Sequence, residues 1–502
     1  MGFKSNDNFV RYLTIGAEAA NAVRADLKLH GHQAMELERF ALSNKVWQTK
    51  PKRMRVPDLL CVKCGVRVES RGKSSKHGII ASDSETDDRG WEGGTRESDL
   101  FAFTYVNIDE TPHRVGTPTY LRMKDMRDRL ADGTGQGTRK AASDGSEWFR
   151  GWKSFTPNWS GVLVGIDGDG FLVGKRDNGT QYRYWQWRDW PARHVYIQPG
   201  DRIIAGETIV AGTVAPPDTL ECPGGWDLPA ALSDADPDEC YAAVRAAGVL
   251  KRTDLAAEIS RIAGDTDNYW RLRLEGDTDK YLRLRLEAAA SIARMDPGQV
   301  RPIIEAAADP TGAPKQRMEA VFVLSEIPAD EAAEALAEIA INDGERPGEL
   351  RAAAVWGLCR GVHPRPDLAL PYAADAENIV ALHAIIGLSE LPSSLVPVLT
   401  RWLGDDDRHA AAAAQLLLRH KAVQPLLSAV HGGGRGRLWA LRALGELTLA
   451  LVREHGGHLL TQEVERDLEP IWIGGEDWLR TSGADELDAL DIQTVQFNPL
   501  LD

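Results

Sequence analysis

Cysteine is scarce, with five in 502 residues. Spread so thinly, these cannot form the framework of a small disulfide-stapled secreted domain. Long apolar runs are missing as well. No stretch approaches the roughly 20 residues that a membrane-spanning helix needs, and the opening MGFKSNDNF has no apolar core of a secretory signal. A soluble, cytoplasmic protein without a membrane partner is the expectation. A phosphate loop of the Walker type is lacking. GIDGDGFLVG lies between strand-like runs and opens no helix, so it is not a dinucleotide fingerprint. Positive charge is in deficit, 59 Lys and Arg against 74 Asp and Glu, for a net −15. A chain this acidic is a poor non-specific binder of nucleic acid as a whole, so any such role must sit on a local basic patch.

What is present divides the chain into contrasting stretches. Phe9, Val10, Leu13, Ala17, Ala20, Val23 and Leu27 recur at three- and four-residue steps, which predicts an amphipathic helix over 9–29 with Gly31 as its stop. Strand-like runs follow at 33–37, 55–61, 66–71 and 100–106, then a helix at 124–130. This is an α/β unit over 1–130. The stretch 131–147, ADGTGQGTRKAASDGSE, reads as a linker. From 148 to 213 short runs alternate around Asp-Gly and Asn-Gly turns, a small all-β module. Pro and Gly crowd the next boundary, 214–234.

From 235 to 454 the sequence is helical and repetitive. An Ala followed four residues later by an aliphatic recurs at Ala288/Ile292, Ala320/Leu324, Ala354/Leu358, Ala384/Leu388, Ala413/Leu417 and Ala440/Leu444. Intervals of roughly 30 residues fit one helix pair of a solenoid, with the small residue permitting close helix approach. The pattern resembles HEAT repeats (an armadillo-type fold), which implies an extended surface for an unknown protein partner. Residues 455–502 form a cap or tail.

The most informative segment is 52–73, KRMRVPDLLCVKCGVRVESRGK. Pro57-Asp58 opens one apolar run. After a Cys-Gly turn, Arg67, Glu69, Arg71 and Lys73 occupy every other position, so a strand presents them on one face and Val66, Val68 and Ser70 on the other. Carboxylates from adjacent strands can hold a divalent metal and activate a water. Pro-Asp, ten residues, then Glu-x-Arg-x-Lys resembles the PD-(D/E)xK nuclease superfamily, in which a helix glutamate precedes three strands. The resemblance implies a restriction-endonuclease-like α/β fold and a metal-dependent hydrolase. Asp58 and Glu69 would ligate Mg²⁺ or Mn²⁺, and Glu18 on the first helix would be the auxiliary carboxylate. One departure stands out: Arg71 occupies the usual Lys position, and Lys73 lies two residues further on. Arginine stays protonated and cannot act as a base, though it can stabilise a phosphate. The same residues also suit a plain surface hairpin with cross-strand charge pairs.

Lys45, Lys50, Lys52, Arg53 and Arg55, with Trp47 among them, form a basic run before Asp58 that could guide a nucleic-acid backbone, DNA by preference. Cys61 and Cys64 make a CxxC, yet no second CxxC exists and Cys222, Cys240 and Cys359 are scattered. His32 or His77 could complete a set, but nothing in the spacing requires either, so a turn is expected rather than zinc. Trp148, Trp152, Trp159, Trp185, Trp187 and Trp190 crowd the β module. They either fill its core or stack bases or sugars. Strand alternation would pair Tyr182 with Tyr184 on one face and Trp185 with Trp187 on the other. His113 and His194 have no partners at hydrolase spacing and read as structural. Three functions remain open: a nuclease on a helical scaffold, an interaction protein whose degenerate nuclease domain binds without cutting, and a scaffold with no nucleic-acid role.

Overall fold

The computed structural model describes residues 7–37, 56–74, 78–84, 91–108, 113–131, 135–142, 145–234, 236–264, 278–344, 346–388, 391–447 and 449–474. The chain divides into two compact units, one of residues 1–46 and 52–291 and one of residues 47–51 and 292–502. Among the described residues no helix is long and apolar enough to cross a membrane.

The first unit opens with helix α1 (Asp7–Leu29), followed by Gly31 at φ 78°, a left-handed conformation that glycine adopts without strain. Strands β1 (Ala34–Glu36), β2 (Leu59–Cys61), β3 (Arg67–Lys73) and β4 (Ile79–Ser84) come next. Then follow β5 (Leu100–Asn107), β6 (Arg114–Val115) and β7 (Thr119–Arg122). The main sheet runs β1-β2-β3-β5-β6, with β7 also on β5. The pairs β1/β2 and β2/β3 are antiparallel and β3/β5 is parallel. This is the expected order of a helix and then three strands.

Alternation along β3 separates two cores. Val68 joins Leu59, Leu100, Ala102 and Tyr120 against Val23 and Leu27 of α1. Gly72 lies under the same helix, where an added Cβ would sit 2.4 Å from the Ile15 carbonyl oxygen, so only glycine permits this approach. On the other face Phe101 and Phe103 join Ile79, Trp91, Leu121, Met123, Met126 and Trp152. Helix α2 (Met123–Ala131) follows β7, near its expected place.

The stretch read as a linker is folded. Residues 135–142 form β8 (Gly135–Ala142), which pairs antiparallel with β9 (Gly145–Trp152), and β9 pairs with β4. Small polar residues do not by themselves prevent ladder pairing once a neighbouring strand offers its backbone groups. Trp152 consequently belongs to the Phe101/Phe103 core, where its Nε1 donates to the Met126 carbonyl at 2.9 Å.

The β module holds β10 (Ser154–Phe155), β11 (Gly161–Ile166), β12 (Leu172–Arg176), β13 (Gln181–Tyr184), β14 (His194–Val195), β15 (Arg202–Ile203) and β16 (Ala211–Gly212). They form the sheets β13-β12-β11-β15 and β10-β16-β14. Aromatics fill its core: Trp159 and Trp187 are buried, with Tyr182, Tyr184 and Trp190 against them. The expected face for Trp185 and Trp187 is corrected. The strand ends at Tyr184, and a 3-10 turn over Trp185–Asp189 folds Trp187 inward, leaving Trp185 61% exposed.

The first unit also continues past 235 into helices Leu228–Leu232, Pro237–Val249 and Ala256–Gly264. Polar ties hold the middle helix there. Arg96 pairs with buried Glu239, and Arg245 donates to the Glu36 carbonyl of β1 at 3.2 Å.

The second unit is helical throughout its described residues. In five of the six Ala/aliphatic pairs both residues are buried, and in the other Ile292 is half-buried. Sequence reading missed a further repeated position. Arg317, Arg351 and Arg437 each stand three residues before a repeat alanine, and each guanidinium caps a carbonyl near the end of the preceding helix. The acceptors are Ala307 at 3.2 Å, Ala340 at 2.9 Å and Val430 at 2.8 Å. Helix-end carbonyls have no intrahelical partner, so an arginine at this register satisfies one per repeat. Beyond 455, helix Gln462–Gly474 buries Val464 and Leu468, in keeping with a cap.

Candidate active site and metal centre

The acidic site is built on the β2–β3 hairpin. Its register pairs Leu59 with Val68, and one further step sets Asp58 opposite Glu69. Strand β2 has ended there, and the Asp58 carboxylate takes over its role: Oδ2 accepts from the Ser70 backbone N–H at 2.9 Å. Glu69, Arg71 and Lys73 project from the face away from α1. The Arg71 guanidinium lies 5.9 Å from the centre of the Phe101 ring, and Lys73 Nζ lies 4.6 Å from that of Phe103. Arg71 also pairs with Glu69 Oε1 at 2.8 Å. Lys73 Nζ is buried without a hydrogen-bond partner among the described residues, and that burial draws its pKa down to about 7.

The other expected members fare differently. Glu18 belongs to α1, on the face of the sheet that carries Val68 and Gly72, and its Oε1 meets His113 Nδ1 at 2.8 Å. The structure does not bring it to Glu69 and Lys73. Helix α1 packs on the residues of β3 that alternate with those two. His113 thereby gains the partner that the sequence did not show. Arg67 begins the charged face but forks onto Asp99 at 3.1 and 2.9 Å, both side chains 1% exposed, so its role is structural. The basic run Lys45, Lys50, Lys52, Arg53 and Arg55 lies outside the described residues, as do Trp47 and His77.

A second cluster stands at the turn of the same hairpin. His32, Cys61, Cys64 and Cys222 offer ligand atoms that all lie within 4.8 Å of one another. Cys61 and Cys64, expected to form a turn with His32 or His77 as optional additions, are joined here by His32 and by Cys222. His32 follows the stop of α1, and Cys222 arrives from 158 positions beyond Cys64, a separation no local spacing reveals. The only local signals are the turn residues around them, Gly31 before His32 and Pro-Gly-Gly after Cys222.

Cys61 Sγ lies 3.8 Å from Cys222 Sγ, and Cys64 Sγ lies 3.5 Å from His32 Nδ1. His32 Nε2 meets the Leu220 carbonyl at 2.8 Å. A carbonyl only accepts, so this contact fixes the proton on Nε2 and leaves the Nδ1 lone pair facing the sulfurs. A hydrogen bond from Cys64, with others from the backbone N–H groups of Lys63 and Cys64, pulls the Cys61 thiol down to about 4 against the effect of burial. The same Cys61–Cys64 bond, with burial, holds the Cys64 thiol well above its ordinary value. The turn is tight: Gly65 has φ 74°, and the Trp226 ring lies where a Cβ would point.

No family model matches this chain. No curated protein matches it either. Function must therefore be argued from the two clusters.

Proposed function

We propose that the first unit is a metal-dependent phosphodiesterase of the PD-(D/E)xK type acting on nucleic acid, DNA by preference, and that the second is a HEAT-like scaffold for a partner protein. One observation carries the reading: the β2–β3 pairing sets Asp58 against the Glu69–Ser70 stretch, with Lys73 further along the same strand face as Glu69. The order α1, β1, β2, β3 supports it, since the superfamily draws its aspartate from the second strand and its Glu-x-Lys from the third.

Carboxylates on neighbouring strands suit a hard divalent cation, so Asp58 and Glu69 are the residues that would hold Mg²⁺ or Mn²⁺. Such an ion supplies a more acidic bound water and offsets phosphate charge. The protein's own residues do the rest. Lys73 titrates near 7, so at neutral pH a large fraction is a free amine able to take a proton from an attacking water. Arg71 remains a cation and can meet a phosphate oxygen, while its bond to Glu69 fixes that carboxylate's orientation.

Cleavage of plasmid DNA and of RNA by the full chain with Mg²⁺ or Mn²⁺ tests the proposal. Asp58→Ala and Glu69→Ala should each lower the rate by a hundredfold or more, on the order of what charge-stabilising groups supply. Equal cleavage by both variants and the wild type would refute it. The pairing of Arg71 with Glu69 favours a second reading, binding without cutting. That version requires salt-sensitive nucleic-acid binding that needs no divalent metal.

A further inference from the structure

We propose that His32, Cys61, Cys64 and Cys222 bind one structural Zn²⁺, which clasps three distant segments of the first unit and pins the turn of the β2–β3 hairpin. Two of the ligand separations match the ion, and all lie within 4.8 Å. A tetrahedron with Zn–S of about 2.3 Å and Zn–N of about 2.0 Å has S···S edges near 3.8 Å and S···N edges near 3.5 Å. Those are the separations of Cys61 from Cys222 and of Cys64 from His32.

The surroundings are prepared for a metal. His32 already has the tautomer that a ligand needs, set by the Leu220 carbonyl in the way that outer partners orient metal-bound imidazoles. The segments that supply ligands are bonded to one another beside the cluster. The Cys222 N–H donates to the His30 carbonyl at 2.9 Å, Lys63 Nζ to the Gly31 carbonyl at 3.1 Å, and the Trp226 N–H to the Lys63 carbonyl at 3.1 Å. These bonds hold the chain in place for four ligands, whereas a disulfide would use only two.

Chemistry selects the metal. Three sulfurs and one imidazole match the Cys₃His set of structural zinc and are too soft for Mg²⁺ or Ca²⁺. All four positions are taken by protein, leaving none for a substrate, which makes the site a clasp. The ion takes all three sulfurs as thiolates, any protons they still carry pass to solvent, and the complex is left with one net negative charge. The inference does not depend on the phosphodiesterase reading, because its test measures metal and uses no nucleic acid.

The full chain, purified without chelator, should contain about one zinc by elemental analysis, as a closed four-ligand site requires. Cys64→Ser, Cys222→Ser and His32→Ala should each reduce that content at least fivefold, whereas Cys359→Ala, a buried thiol in the helical unit, should leave it unchanged. Because a variant can fail to fold, the wild type is measured as well. A mercurial reagent should release about one zinc as the thiols react, and Co²⁺ exchanged into the site should show the visible bands of a tetrahedral thiolate complex. Wild-type protein that folds without metal and takes up neither ion would overturn the proposal. So would zinc content undiminished in the Cys64→Ser/Cys222→Ser double variant.

Discussion

Lys73→Met should stabilise this protein, and the gain should depend on pH. The ammonium is buried over the Phe103 ring with no hydrogen bond to any described residue, and burial draws its pKa down to about 7 from 10.5. At roughly 1.4 kcal/mol per tenfold, that difference disfavours the cation by about 4–5 kcal/mol in the folded state. Below pH 7 both folded and unfolded chains carry the proton, so wild type bears the whole penalty. Between 7 and 10.5 the unfolded chain holds more protons, and wild-type stability rises with pH. Above 10.5 the penalty is gone. Urea unfolding of both proteins at pH 6, 7.5 and 9.5 therefore has a definite expectation. Methionine, with a similar length and no charge, should lead by about 4–5 kcal/mol at pH 6, and the lead should shrink steadily toward pH 9.5. A difference that stays constant across that range would refute the burial argument. If Lys73 also serves as the base, the stabler variant should be the slower nuclease, a combination that a folding defect cannot produce.

Two further substitutions test the frame around the site. Asp99→Ala leaves the buried Arg67 guanidinium without its carboxylate and should cost about 3–5 kcal/mol in urea unfolding, whereas replacing both residues by apolar ones should recover most of that loss. Gly72→Val puts a side chain where the Ile15 carbonyl already lies, so α1 must lift from β3. Thermal unfolding should fall by several degrees, as overpacking of about 1–3 kcal/mol implies, and an unchanged midpoint would show that the helix–strand contact is looser than described.

The elements that sequence reading placed well are those whose signal is local. The period of α1 and the alternation of Arg67, Glu69, Arg71 and Lys73 come directly from side-chain spacing. So do the buried Ala/aliphatic pairs of the helical unit, because each helix repeats the same packing demand. What escaped depends on partners far along the chain. Residues 135–142 have the composition of a linker, and only the neighbouring β9 makes them a strand. Glu18 has the right type and helix for an auxiliary carboxylate, but the face on which α1 packs decides its partner, and that partner is His113. The repeated arginines were hidden because their acceptors are backbone carbonyls, which leave no mark in the sequence.

The two clusters of the hairpin illustrate one economy of construction. The turn of β2–β3 is only a few residues long, and at its open end Asp58 must stay opposite Glu69 although β2 has already stopped. A three-residue strand offers few ladder bonds to hold that register, and a slip of β2 by one position along β3 would take Asp58 away from Glu69. Bonds from Cys222 and Lys63 to the chain after α1 anchor the turn from outside the sheet, and a metal on His32, Cys61, Cys64 and Cys222 would tighten the same anchor. Zinc loss should therefore reach the acidic end through register: the Asp58–Ser70 bond should loosen, and exchange of the Ser70 amide hydrogen should speed up before the helical unit changes. Uniform exchange across β3 after zinc removal would show that the two ends of the hairpin are independent.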